Sequence, residues 1–216
     1  MLNDVWLFDS TSNDWQQLHT SAAMPLWGAT AVCTNTTFLV FGGYTQMIDE
    51  SSQNSASNAT WSLDLATLEW TQLRTTNDPS PRGLSTSALV NDLMYITSGS
   101  DYAAVDVNTG DDVGVILSDT WALNVTSLEW TCVSATFVAT ISPPVLFSTA
   151  DPTILIAFYT VHTAITTVAT FNTVTSTWSF EPVEPLNQAP WGQIGSSIID
   201  CGPFYLLINS KGMQCK

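Results

Sequence analysis

The sequence predicts an all-β fold made of repeated four-stranded antiparallel units, and three observations carry that expectation. A pair of tryptophans nine positions apart recurs at Trp6/Trp15, Trp61/Trp70 and Trp121/Trp130, and a fourth copy keeps Trp178 but has Ala169 in place of its first Trp. Between one pair and the next stand two short runs rich in β-branched and aromatic residues, bounded by Gly, Pro, Asn and Ser. No stretch sustains an apolar period of 3.6, so helix is expected to be nearly absent.

Taken in order, each Trp pair reads as a hairpin. In "VWLFD", Trp6 and Phe8 point one way and Val5 and Leu7 the other, so both faces are apolar, as in a strand held between two layers. Three positions after the first Trp stands Asp9, Asp64, Asn124 or Asn172. A short Asx side chain there can accept from the backbone two residues on and so close the turn. The next strand pair is "GATAVC" with "TFLVFGG" in the first unit and "LSTSALV" with "LMYITSG" in the second. In the third it is "PVLFST" with "TILIAFYT", and in the fourth "GSSIID" with "FYLLIN". The second Trp of each unit falls at 15, 70, 130 and 178, a spacing of 55, 60 and 48 residues. Four short strands at that period are the pattern of propeller blades.

These residues make the chain resemble the kelch-repeat family. The matching features are Gly42-Gly43 closing "FLVFGG", the "NDVW.FD......W" hairpin, and "PSPRG" (79 to 83) leading into the next strand. The resemblance covers nearly the whole chain and fades along it: the diglycine is Ser98-Gly99 in the second unit and is lost thereafter. It implies a kelch-like β-propeller in which the paired tryptophans wedge between blades. The expected organisation is a single propeller region over 1-216, with a half blade at 1-18, full blades at 29-73, 84-133 and 145-181, and a half blade at 195-210. Such a chain is an incomplete propeller, a closed four-blade ring whose two ends complete one another, or a propeller completed by another chain through strand addition.

Composition narrows the partners. There are 4 Lys+Arg against 19 Asp+Glu, for a net charge of -15, and no Lys or Arg between Arg82 and Lys211. Such a surface cannot neutralise phosphates and is repelled by anionic lipid, so neither nucleic acid nor a membrane is expected as partner. No apolar run reaches the length of a membrane helix, and "MLNDVWLF" carries no basic n-region of a signal peptide. Ser and Thr make up about a quarter of the chain, supplying by hydroxyls the polarity that charges usually give. Together with sequons at Asn35, Asn58 and Asn124, all in expected turns or loop ends, this favours an extracellular or cell-surface glycoprotein. Cys33, Cys132, Cys201 and Cys215 allow three disulfide pairings or free buried thiols, and their spacing is not that of a metal site.

Chemistry has little to draw on. His19 and His162 lie in different units without a carboxylate or cysteine nearby in sequence, and no nucleophile elbow, phosphate loop or zinc signature occurs. Neither catalysis nor a cofactor is expected. "DVNTGDD" offers Asp106, Asn108, Asp111 and Asp112 as a weak calcium candidate without the distal Glu such loops require. It lies in the second of two long loops, 44 to 60 and 100 to 119, of the kind that carry binding on rigid scaffolds. Trp27-Gly28, Arg82-Gly83 and Trp191-Gly192 occupy one column, on the connection entering each blade, where a Trp can stack on a sugar ring or cover a blade edge. Two functions follow: a structural module that assembles with other protein chains, as a homo-oligomer or polymer, or a domain that binds a glycan or protein through Trp27, Arg82 and Trp191.

Overall fold

The computed structural model describes residues 4–21, 26–45, 54–103, 115–135, 144–161, 164–182, 197–200 and 205–208. Among them every regular element is a strand, and no helix is long and apolar enough to cross a membrane. Three four-stranded antiparallel sheets follow one another, each with its strands in chain order. Blade 1 holds Thr30–Cys33, Thr37–Phe41, Thr60–Asp64 and Trp70–Leu73. Blade 2 holds Thr86–Val90, Leu93–Thr97, Thr120–Asn124 and Glu129–Ser134. Blade 3 holds Val145–Ser148, Ile154–Val161, Ala164–Asn172 and Thr177–Pro182. Two-stranded hairpins stand at the ends, Val5–Asp9 with Asp14–Leu18 and Ser197–Asp200 with Tyr205–Ile208.

The first strands of successive blades lie side by side: Thr30–Cys33 against Thr86–Val90, that strand against Val145–Ser148, and this last against Ser197–Asp200. This is the inner ring of a propeller. Hydroxyls fasten it: Thr30 Oγ1 donates to Ser87 Oγ at 2.6 Å and Ser87 Oγ to the Ala31 carbonyl at 3.0 Å. The Leu146 N–H donates to Thr86 Oγ1 at 3.0 Å.

The core sits between blades rather than within one sheet. Val32, Leu39 and Phe41 of blade 1 pack with Met94, Ile96, Leu123 and Trp130 of blade 2. Val90, Tyr95 and Ala122 of blade 2 pack with Leu146, Leu155, Ala157 and Phe171 of blade 3. Across the blades Phe41 meets Trp130 tilted at 4.8 Å and Tyr95 meets Phe171 edge-on at 5.9 Å between centroids. Burying each such side chain contributes on the order of 1.5–3 kcal/mol, so both sheet faces must be apolar, as the strand pattern requires.

One register runs through all blades. The first residue of strand one faces the last of strand two, which faces the start of strand three, in blade 1 (Thr30, Phe41, Thr60) and blade 2 (Thr86, Thr97, Thr120); in blade 3, whose middle strands run on to Val161 and from Ala164, Val145, Phe158 and Val168 align. Each closing turn is held by the expected Asx residue. The Oδ1 of Asp9, Asp64, Asn124 and Asn172 accepts from the backbone N–H two residues on at 2.7–2.9 Å. Four residues after each of them, Asn13, Leu68, Leu128 and Ser176 take φ of 55–59°, the left-handed step that lets the chain reverse.

The tryptophan column behaves differently from blade to blade. Trp130 is buried and Trp70 and Trp178 half-buried, whereas Trp6 and Trp15 are 51% and 62% exposed. The wedge position is thus filled only where a preceding blade stands beside it.

Candidate functional site

The connection from blade 1 to blade 2 builds one face. The Arg82 N–H donates to the Ser57 carbonyl at 3.0 Å and its own carbonyl accepts from Gly43 at 2.8 Å, so the strap lies on the long loop of blade 1. At Gly42, φ is 71° and a Cβ would stand 2.3 Å from the Arg82 carbonyl oxygen. The diglycine is therefore the floor on which the strap rests.

From that strap the Arg82 side chain reaches into blade 2. Nη1 donates to Asp119 Oδ1 at 2.6 Å and to the Ser98 carbonyl at 3.3 Å, Nη2 to Asp119 Oδ2 at 3.1 Å, and Nε to the Ser80 carbonyl at 3.1 Å. Trp121 Nε1 adds a bond to Asp119 Oδ2 at 2.6 Å. Burial pushes the Asp119 carboxyl up, but the bonds from Arg82 and Trp121 and the Arg82 charge outweigh it and hold the group below the usual carboxylate range. Arg82 is wholly buried, which takes it out of the ligand-facing set that the sequence suggests. Its work is to bind blade 1 to blade 2.

Trp27 does reach the surface. It pairs in a short ladder, Leu26–Trp27 with Tyr44–Thr45, and its ring lies 4.6 Å from that of Tyr44 while remaining 38% exposed. Tyr44 is fixed on its other side: a Cβ on Gly83 would fall 2.2 Å from its ring, and its hydroxyl donates to the Ser100 carbonyl at 3.0 Å. Trp27 is thus the outer layer of a stack whose lower ring, Tyr44, rests on Gly83 and is tied to the Ser100 carbonyl. Trp191 and the calcium candidate Asp106, Asn108, Asp111 and Asp112 lie outside the described residues.

The two long loops meet on this face, Asn54–Ser55 pairing with Tyr102–Ala103. Leu117 N–H donates to the Gly99 carbonyl at 2.9 Å and Val115 N–H to Asp101 Oδ1 at 2.9 Å, closing the base of the second loop. The opposite end of blades 1 and 2 holds a cleft of about 530 Å³, lined by the Thr34–Thr37 turn, Leu39, Leu73, Asp92 and Val125 among others. The Asn35 sequon opens on it and is exposed; Asn58 is exposed too, and Asn124 is half-buried with its Oδ1 engaged in the turn.

Among the described residues no three His, Cys, Asp or Glu side chains stand close enough to share a metal ion. Cys33 and Cys132 are free and exposed, so they are not paired with each other. His19 is exposed; His162, Cys201 and Cys215 lie outside the described residues.

The family described as the KLHDC2/KLHL20/DRC7 Kelch-repeats domain matches residues 1–150. The chain belongs to the kelch-repeat family. It is also similar to Adagio-like protein 1 of Oryza sativa subsp. japonica, with 29% identity over 131 residues, 58% of this chain and 18% of that protein. The kelch match takes in the diglycine, the strap with Arg82 and both long loops. Kelch-repeat domains are generally protein-interaction modules.

Sequence reasoning missed three things here. The Arg82–Asp119 partners are separated by 37 positions; the lone basic residue ahead of an acidic loop is the signal that points to them. Tyr44, directly after the diglycine, carries no signal beyond its type. The exposed first hairpin was legible as a half blade, but not as an apolar surface.

Proposed function

We propose that this chain is a non-catalytic, glycosylated extracellular propeller module that joins protein chains into a surface or fibrous assembly. The observation that carries the reading is the first hairpin. Trp6, Leu7, Phe8 and Trp15 stand exposed on it, while Leu63 and Leu123, which hold the place of Phe8 in blades 1 and 2, are buried. Trp6, Phe8 and Trp15 gathered on one exposed face of a strand pair mark a protein contact. Exposed sequons at Asn35 and Asn58, the hydroxyl-rich surface and the net charge of -15 support an extracellular setting and partners that are neither nucleic acid nor anionic lipid. Light scattering after size exclusion, with intact mass measurement of the native protein, tests it. A mass of several chains with added hexose and N-acetylhexosamine at Asn35 or Asn58 is expected; a bare monomer overturns it.

The fixed Trp27–Tyr44 stack favours a second reading, in which this face binds a glycan or protein ligand as kelch faces bind proteins. A half-exposed indole on an immobile support loses little freedom when a sugar ring or apolar side chain covers it. Titration with neutral oligosaccharides, followed by tryptophan fluorescence, is expected to give saturable binding that Trp27→Ala abolishes without unfolding. Equal binding by wild type and variant removes this face from consideration.

A further inference from the structure

We infer that the cleft between blades 1 and 2 is the seat of an N-linked glycan carried by Asn35, whose first sugar covers one end of the core that the two blades share. The inference rests on the glycosylated, extracellular reading and names what one of its glycans does.

The cleft suits a sugar tethered at its rim. Its space of about 530 Å³ falls within the roughly 300–1,000 Å³ of small-ligand sites and has room for more than one pyranose ring. Its apolar lining comes from both blades, Leu39 and Leu73 from blade 1, Val125 and Leu128 from blade 2. Leu39 belongs to the core that joins the blades, and Leu73 and Val125 pack against that core. The polar lining is made of hydroxyls from the Thr34–Thr37 turn and Thr126, with Asp92 the one charge among the described residues. An N-acetylated sugar divides in the same way, with an apolar C–H face and a methyl on one side and hydroxyls around the edge. An anion has no counter-charge there.

Asn35 is placed to supply that sugar. Thr34 closes its turn: the Thr34 N–H donates to the Thr37 carbonyl at 2.8 Å, and Thr34 Oγ1 accepts from the N–H of Thr36 at 3.3 Å and of Thr37 at 3.0 Å. Asn35 therefore stands exposed at the tip, its amide not used by the turn, and Thr37 completes the acceptor sequence. The second sequon at this cleft, Asn124-Val125-Thr126, differs. Asn124 is half-buried and its Oδ1 accepts from the N–H of Thr126 and Ser127. Asn58 follows Ser57, whose carbonyl takes the Arg82 N–H on the strap face, away from the cleft. Attachment forms a bond from the sugar C1 to Asn35 Nδ2 and breaks the C1–O bond to a lipid-linked diphosphate donor. The diphosphate leaves with that electron pair, and Nδ2 gives up one proton. Held at the rim, the first ring loses little further freedom when it covers the cleft.

Peptide mass mapping of the native protein is the first step, followed by melting temperatures of the chain secreted from a eukaryotic host as wild type, N35Q and N58Q. A glycan on Asn35 of the native protein is expected. N35Q is expected to melt about 2–4 °C below wild type, the shift of one modest contact in a chain of this length. N58Q, and wild type trimmed by an endoglycosidase to its first sugar, are expected to melt with wild type. In bacterial protein, which lacks the glycan, N35Q is expected to change nothing. Native protein with a glycan on Asn58 or Asn124 but a bare Asn35 overturns this seat and leaves the glycoprotein reading standing; no glycan on any of the three overturns both. An occupied Asn35 also overturns the seat if N35Q costs no more than N58Q, or as much in bacterial as in secreted protein, and the cleft is then open to a free ligand or a protein partner. A loss on trimming equal to that of N35Q overturns it as well. If N35Q is not secreted, trimming of wild type is compared with complete enzymatic removal: a fall on complete removal alone supports the seat, and a fall on both or neither overturns it.

Discussion

The guanidinium of Arg82 and the carboxylate of Asp119 meet in a two-point bond, 2.6 Å on one arm and 3.1 Å on the other, between the strap that leaves blade 1 and the residue just before the third strand of blade 2. The two partners are not equivalent. Arg82 is wholly buried, and the Asp119 side chain keeps 23% of its surface in water. Asp119→Ala, which strands a buried cation, is expected to cost about 3–5 kcal/mol in chemical denaturation. Arg82→Met is expected to cost less, since Asp119 retains solvent. Equal losses would show that the pair's charge does not set the energy.

Acid should loosen the fold by a defined route. The carboxyls of Asp9 and Asp64 are held below the ordinary value of 3.8 by the backbone N–H groups they cap, and Asp119 is also depressed. A carboxyl depressed in the folded state stabilises it above the ordinary value, and that contribution disappears as pH falls through the depressed one. Asn124 and Asn172 cap the same turns without titrating. Thermal denaturation below pH 4 is therefore expected to fall less steeply in Asp64→Asn than in wild type; parallel curves would refute the capping role.

The diglycine column offers a pair of opposite outcomes. Gly42→Ala must displace the Arg82 strap, because its Cβ has 2.3 Å to a backbone oxygen, and is expected to lower the melting temperature markedly. In blade 2 the same place is held by Ser98, with φ of 63° and a buried hydroxyl without a partner. Ser98→Gly removes both burdens and is expected to stabilise by about 1 kcal/mol. A loss on Ser98→Gly would mean that the hydroxyl holds an ordered water.

A threonine column makes the fourth case. Trp178 Nε1 donates to Thr120 Oγ1 at 3.0 Å across blades 2 and 3. One blade earlier, the counterparts Trp130 Nε1 and Thr60 Oγ1 are both buried and unbonded. Thr120→Val is expected to cost about 1–3 kcal/mol by orphaning the indole, and Thr60→Val to be neutral or stabilising. Denaturant midpoints of the two variants decide this directly.

What was legible in the sequence was what is local. The Asx turns, the strand pairs and the alternation of both faces involve residues within about ten positions, and each recurs, so repetition separates them from chance. Arg82 was legible as a special residue but was assigned to a ligand, because nothing local shows that its guanidinium points down into blade 2 toward Asp119. The meeting of Asn54–Ser55 with Tyr102–Ala103 joins segments from different blades, and no pattern within either loop encodes it. The same holds for the exposure of Trp6 and Trp15. Their identity follows the repeat, but their environment depends on which blade stands beside them.

The placement of Arg82 also bears on the order in which the chain takes shape. Every sheet of three or more strands pairs strands that are neighbours along its blade, so blades can form one after another as the polypeptide emerges from the ribosome. Arg82 emerges as soon as blade 1 is complete, but its counter-ion arrives only with the third strand of blade 2. Until then the strap can rest on the diglycine through its backbone bonds to Gly43 and Ser57, with the guanidinium still in water. The guanidinium leaves water only when Asp119 stands opposite it, so the seam between the two blades is the later joint to close.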